Sequence, residues 1–188
     1  MHRFFSKNGE ILLALFFTNP GKAFYMQEIG QIIGKKPGVF QKAINALEEE
    51  GILQSTYQAN ARFFKVNANY PLYKELKKMI DKTAGITEKL RAALKKIDEV
   101  QCAILYGSFA KHTERSDSDV DLLIIGRKGV EKVLLNVVRK MERGFQREIN
   151  YKIYSSSEFS DKWEKGDAFL EEVMNNRYII LKGDPNAL

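Results

Sequence analysis

Over the first eighty positions, hydrophobic residues recur at helical spacing between short turn signals. The apolar run Glu10–Phe17 stops near Asn19-Pro20-Gly21, which predicts a first helix. Ala23–Tyr25 reads as a short strand. Met26, Ile29, Ile32 and Ile33 then share one helix face. After the Gly34–Gly38 turn, a second helix is predicted from Val39 to Glu50, with Val39, Phe40, Ile44 and Leu47 inward. Leu53 opens a strand, Ala61–Val66 returns antiparallel to it, and Tyr57–Asn60 forms the tip between them. Two basic amphipathic helices follow, 72–82 on Leu76, Met79 and Ile80, and 86–97 on Leu90, Ala93 and Leu94. These helices link the halves and are candidates for a homodimer contact.

The remaining residues alternate between strand and helix patterns, the signature of an α/β layer. Strands are predicted at 101–106, 120–125, 148–154 and 178–181. Helices are predicted at 108–113, 129–142, 157–164 and 167–175. The pattern divides the chain into two domains, 1–82 and 83–188.

The chemistry concentrates in one stretch. Ala103–Tyr106 is apolar and runs into Gly107-Ser108, and a second apolar strand opens with Asp119-Val120-Asp121. Residues i and i+2 of a strand face the same way, so the two aspartates project together. Two convergent carboxylates suit Mg²⁺, which is bound through one or two carboxylates and the phosphates of a nucleotide. Gly107 permits close backbone approach, and Ser108 at a helix start offers a hydroxyl and N–H groups to phosphate.

The run Gly107-Ser-Phe-Ala-Lys-His-Thr-Glu-Arg-Ser-Asp-Ser-Asp-Val-Asp121 resembles the nucleotidyltransferase superfamily that includes DNA polymerase beta, in particular its minimal prokaryotic members. His112 stands where relatives often have glycine, and it is assigned no role. The resemblance implies an α+β chain whose C-terminal part is an α/β nucleotidyltransferase domain with a mixed sheet. It implies a Mg²⁺-dependent enzyme that moves a nucleoside monophosphate, AMP being the expected group, from a triphosphate to a hydroxyl of a protein or small molecule. Gly107, Ser108, Lys111, Arg115 and Ser118 are the expected nucleotide-binding residues, and Asp119 and Asp121 the metal ligands. Relatives place a third acid on a neighbouring strand, and within Arg147-Glu148-Ile149-Asn150 the match is Glu148, as general base or third metal ligand. Asp117 is a turn cap or a supporting acid. Some relatives are the antitoxin half of toxin–antitoxin pairs, which implies a small helical toxin-like partner.

The phrase Ala-Leu-Glu-Glu-Glu-Gly-Ile-Leu before a hairpin resembles winged helix-turn-helix regulators of the ArsR and MarR kind. Such domains dock their second helix in the major groove of double-stranded DNA. That resemblance points to Lys35, Lys36, Gln41 and Lys42, with Arg62 near the wing, as DNA contacts. Glu48–Glu50 reads as a solvated helix end. A DNA-binding regulator that senses nucleotide without catalysis is the alternative function.

Charge distribution fits this division. Of 188 residues, the first 82 hold 12 Lys/Arg against 7 Asp/Glu, a net +5, whereas the rest hold 18 against 17. A basic small domain suits nucleic acid. The single cysteine, Cys102, excludes an internal disulfide and suits a reducing cytoplasm. With two histidines besides, the chain is poorly supplied for zinc. No stretch approaches the roughly 20 apolar residues of a membrane span.

Overall fold

A computed structural model describes residues 6–111, 113–115 and 118–187, and the chain divides into two compact units between Glu88 and Lys89. His112 and Asp117 lie outside the described residues.

In the first unit, helix α1 (Lys7–Thr18) starts where the Ser6 side chain accepts the Gly9 N–H at 3.1 Å. Leu12 through Phe17 are buried without interruption, as expected of a helix apolar on all sides and packed at the centre. Strand β1 (Phe24–Tyr25), helix α2 (Met26–Ile33) and helix α3 (Pro37–Glu49) follow. Pro37 sits in the first turn of α3, where its missing N–H costs nothing. Strands β2 (Leu53–Gln58) and β3 (Ala61–Val66) complete an antiparallel sheet of order β1-β3-β2. Helix α4 (Tyr73–Thr83) closes the unit by stacking Tyr73 on Phe17 at 5.4 Å between ring centroids. Phe16, Phe24, Ile29, Phe40, Ile44 and Phe64 share this core.

The hairpin tip is tighter than expected. Tyr57 and Gln58 remain in the ladder, paired with Arg62 and Ala61, so only Ala59 and Asn60 turn the chain. Ala59 takes φ +51° there. Backbone pairing with Arg62 and Ala61 keeps the strand going past the predicted wing.

Helix α5 (Ile86–Leu94) contains the division and ends three residues before the predicted Ile97. The second unit is a four-stranded mixed sheet. Its strands are β4 (Val100–Tyr106), β5 (Val120–Gly126), β6 (Ile149–Tyr154) and β7 (Ile179–Lys182), in the order β6-β5-β4-β7. The β4–β5 and β4–β7 pairs are antiparallel, while β5–β6 is parallel. Parallel neighbours require a crossover, supplied by α7 (Val130–Phe145). Short α6 (Gly107–Lys111) leads away from β4, and α8 (Ser156–Glu164) and α9 (Ala168–Asn175) precede β7. Leu122 to Ile125 are all fully buried, as in a central strand covered on both faces. On one face Cys102, Ile104, Leu123 and Ile125 pack with Phe159 of α8 and with Leu170 and Val173 of α9. Among the described residues, no helix is long and apolar enough to cross a membrane.

Candidate active site

Three strand ends meet at one edge of this sheet. Tyr106 closes β4 opposite Asp121 near the start of β5, and Asp121 in turn pairs with Asn150 of β6. Paired residues of neighbouring strands point to the same face, so Tyr106, Asp121 and Asn150 form a row. Gly107 follows with φ +71°, which turns the chain out of the strand and into α6. A Cβ on Gly107 would overlap Oδ2 of Asp121, so only glycine lets the backbone lie against that carboxylate.

Asp119, exposed just before β5, lies one strand period from Asp121. The Asn150 amide donates to Oδ2 of Asp119 at 3.4 Å and also hydrogen-bonds Asp121. Burial raises the Asp121 carboxyl above its ordinary 3.8; the Asn150 hydrogen bond opposes the rise, and the nearby charge of Asp119 adds to it. The Tyr106 hydroxyl is pushed up to about 12, first by burial and then by the negative charges of Asp121 and Glu172 and by Tyr154. Two carboxylates form a hard-oxygen donor pair, the kind Mg²⁺ prefers, and the Asn150 amide N–H holds them in place.

Glu148 does not join them. Strand β6 begins one residue later than expected, at Ile149, leaving Glu148 exposed, and its carbonyl accepts the Val120 N–H at 3.0 Å. Among the described residues, no three His, Cys, Asp or Glu side chains converge in a way that would hold a metal ion. The polar group beside both aspartates is Asn150, on the same strand face but shorter and neutral.

Arg147 is a residue whose part was not legible in the sequence. Only 8% exposed, it donates from Nη1 to the carbonyls of Arg115 (3.0 Å) and Ser118 (2.7 Å) and lies over the Phe109 ring at 5.3 Å. It thereby holds Ser118, the residue before Asp119, to the Arg115 backbone. Ser118 serves the same link, its Oγ accepting the Arg115 N–H at 2.8 Å. Ser118 and the Arg115 backbone are thus turn-builders, while the Arg115 side chain is exposed. Ser108 is half-buried in the first turn of α6.

Lys111 projects into a cleft of about 220 Å³ that also takes in Tyr106, Gly107, Asp121, Phe169 and Arg177. Phe169 meets Tyr106 edge-on at 5.6 Å and carries the Lys152 ammonium over its ring at 3.6 Å.

In the first unit, Lys36, Gln41 and Lys42 are exposed at the start of α3. Lys35 is tied back, its Nζ donating to Oδ1 of Asn8 at 2.5 Å. Arg62 is committed internally as well. It forks onto Glu48 at 2.6 and 2.8 Å, donates to Ser55 at 3.0 Å and lies over the Tyr57 and Phe64 rings. The guanidinium expected to meet phosphate instead ties β3 to the end of α3, and Glu48 is its partner rather than a solvated end.

Residues 88–185 match the family model described as Polymerase beta, Nucleotidyltransferase. A crystal structure of a toxin-antitoxin with AMP-PNP is 14% identical and covers 54% of this chain and 76% of its own, with a TM-score of 0.39. A Sulfolobus solfataricus protein described as a nucleotidyltransferase, solved at 1.40 Å, is 13% identical and covers 50% and 73%, with a TM-score of 0.27. No curated protein sequence matches.

Proposed function

The chain belongs to the polymerase beta nucleotidyltransferase family, and we propose that it transfers a nucleoside monophosphate from a triphosphate, ATP being the expected donor, to a hydroxyl group. The observation that carries this reading is the Asp121 carboxylate, seated between the Gly107 backbone and the Asn150 amide with Asp119 beside it. Asp119 and Asp121 are the residues that would hold Mg²⁺. When bound, the ion supplies charge neutralisation on the phosphates and on the leaving oxygen. The Asn150 amide keeps both carboxylates turned to one side. Ser108 and the N–H groups at the start of α6 face the phosphates, and Lys111 adds a positive charge. The acceptor oxygen forms the new bond to the α-phosphorus, its proton passes to solvent, and the α–β bridging bond breaks with its electrons remaining on pyrophosphate. This division of work is positioning and electrostatics, without a covalent enzyme intermediate.

The acceptor is a hydroxyl of a partner protein, such as a small helical toxin-like chain, or of a small molecule. The test is incubation of the full chain with α-labelled nucleoside triphosphates, Mg²⁺ and lysate. Label transfer that disappears in Asp121→Asn supports the reading, whereas equal transfer by both proteins refutes it.

The first unit is read as a winged helix-turn-helix that binds duplex DNA. Support comes from the element order, helix–strand–helix–helix–hairpin, and from the exposed Lys36, Gln41 and Lys42 on α3. Second helices of this kind enter the major groove. A second functional reading, a DNA-bound nucleotide sensor without turnover, is favoured by one observation: a neutral Asn150, not an acid, stands against the two aspartates.

A further inference from the structure

Arg177 lies between α9 and β7, far in sequence from the aspartate motif. Strand pairing brings it there. Ile179 of β7 is opposite Leu105 of antiparallel β4, and Arg177 precedes Ile179 by two residues just as Gly107 follows Leu105 by two. Arg177 and Lys111 consequently line the same cleft as Asp121. Among the described residues neither cation has an ion-pair or hydrogen-bond partner. Four other cations of this unit are engaged. Arg147 holds carbonyls, Lys152 lies on Phe169, Lys162 pairs with Asp167 at 2.9 Å, and Lys182 donates to the Ile97 carbonyl at 2.6 Å.

The cleft therefore carries both signs, carboxylate on Asp121 and cation on Lys111 and Arg177. Glu172 also lines it, so acids and bases balance two against two until a cation reaches Asp121. A metal-chelated polyphosphate has the complementary pattern, with the metal at one end and an anionic tail at the other. Size narrows the choice. About 220 Å³ falls below the roughly 300–1,000 Å³ of pockets that enclose a whole drug-sized ligand. The aromatic surface is spoken for as well, because Phe169 carries Lys152 on its ring and meets Tyr106 edge-on. One face of the Phe169 ring is thereby closed to a base.

We propose that Arg177, acting with Lys111, grips the β and γ phosphates of the donor, and that the nucleobase lies outside this cleft. Arg177 is then the residue that distinguishes triphosphates from shorter nucleotides, and donor choice is made on the tail rather than the base. This rests on the nucleotidyltransferase reading above.

Calorimetric titration of the full chain with ATP, ADP, AMP and inorganic tripolyphosphate, each with Mg²⁺, tests it. Wild-type protein should bind tripolyphosphate in competition with ATP and take GTP, CTP and UTP within about threefold of ATP. Arg177→Ala should weaken ATP and tripolyphosphate roughly tenfold or more, as expected for a lost charge-assisted hydrogen bond, and leave AMP unchanged. Arg177→Lys should fall between. Arg177 is exposed, so both variants should melt with the wild type. If Arg177→Ala binds ATP as wild type does, or loses ATP and AMP equally, the tail subsite is wrong and the transferase reading stands. A wild type that binds no ATP with Mg²⁺ overturns both.

Discussion

The Asp121 carboxylate occupies the space that a Cβ on Gly107 would fill. Backbone and ligand are thus fitted to each other across the β4–β5 pair. Gly107→Ala should disturb both at once. The left-handed φ alone costs an alanine about 1–2 kcal/mol, and displacement of Oδ2 adds to it. Thermal denaturation should show at least that loss, and label transfer should fall further than stability predicts.

Asp119→Asn and Asp121→Asn should each abolish Mg²⁺-dependent transfer in a folded protein. Stability supplies a second readout for Asp121. Its carboxyl is raised in the folded state, mainly by burial. The folded chain therefore holds the proton more tightly than the unfolded chain, and stability falls as pH rises from 3.8 through the raised value. At neutral pH the whole of that cost is present. Asp121→Asn should melt higher than wild type at pH 7, and the difference should vanish in acid. A variant that melts lower at pH 7 contradicts the assigned environment.

Asn150 and Glu148 should separate cleanly. Asn150→Ala removes the amide shared by both aspartates, so Mg²⁺ affinity and transfer rate should both drop, by roughly tenfold for one hydrogen bond to charge. Glu148→Gln alters an exposed side chain outside the pair and should change the rate by less than about threefold. A large loss in Glu148→Gln with an innocent Asn150→Ala would restore Glu148 as the third acid.

Arg147→Lys keeps the charge but loses the planar guanidinium that lies over the Phe109 ring while Nη1 donates to two carbonyls. Losing one charged hydrogen bond should cost about 1–3 kcal/mol and should weaken transfer, because Arg147 holds Ser118, which directly precedes Asp119. Unchanged turnover would show that Ser118 is held by something else.

Lys36→Ala and Lys42→Ala should weaken duplex binding by the full chain and flatten its salt dependence, since each lost phosphate contact removes released counterions. Arg62→Ala should act on stability, by about 1 kcal/mol for a part-exposed ion pair with ring contacts. A loss of DNA affinity in Arg62→Ala without a change in melting would return Arg62 to the phosphate backbone.

Chemistry that lies close along the chain was legible in the sequence. Gly107 directly follows β4, Asp119 directly precedes β5 and Asp121 lies within it, and the two-residue strand period is enough to aim both carboxylates one way. Helix α2 and strand β3 match their predicted spans to the residue, because local periodicity and turn residues set their ends.

Pairing between distant segments decided the rest. The two-residue period says which side chains share a face of β6, Glu148 and Asn150 alike; the folded sheet sets Asn150 opposite Asp121, and it is the Asn150 amide that hydrogen-bonds the aspartates. Arg62 looked available because its partner Glu48 is on another element, and only the folded sheet brings the two within 2.6 Å. Arg147 and Arg177 carry no local pattern that sets them apart from other surface cations. Their places follow from burial of the β5–β6 edge and from β7 pairing with β4, long-range contacts formed by the whole core rather than by any segment alone.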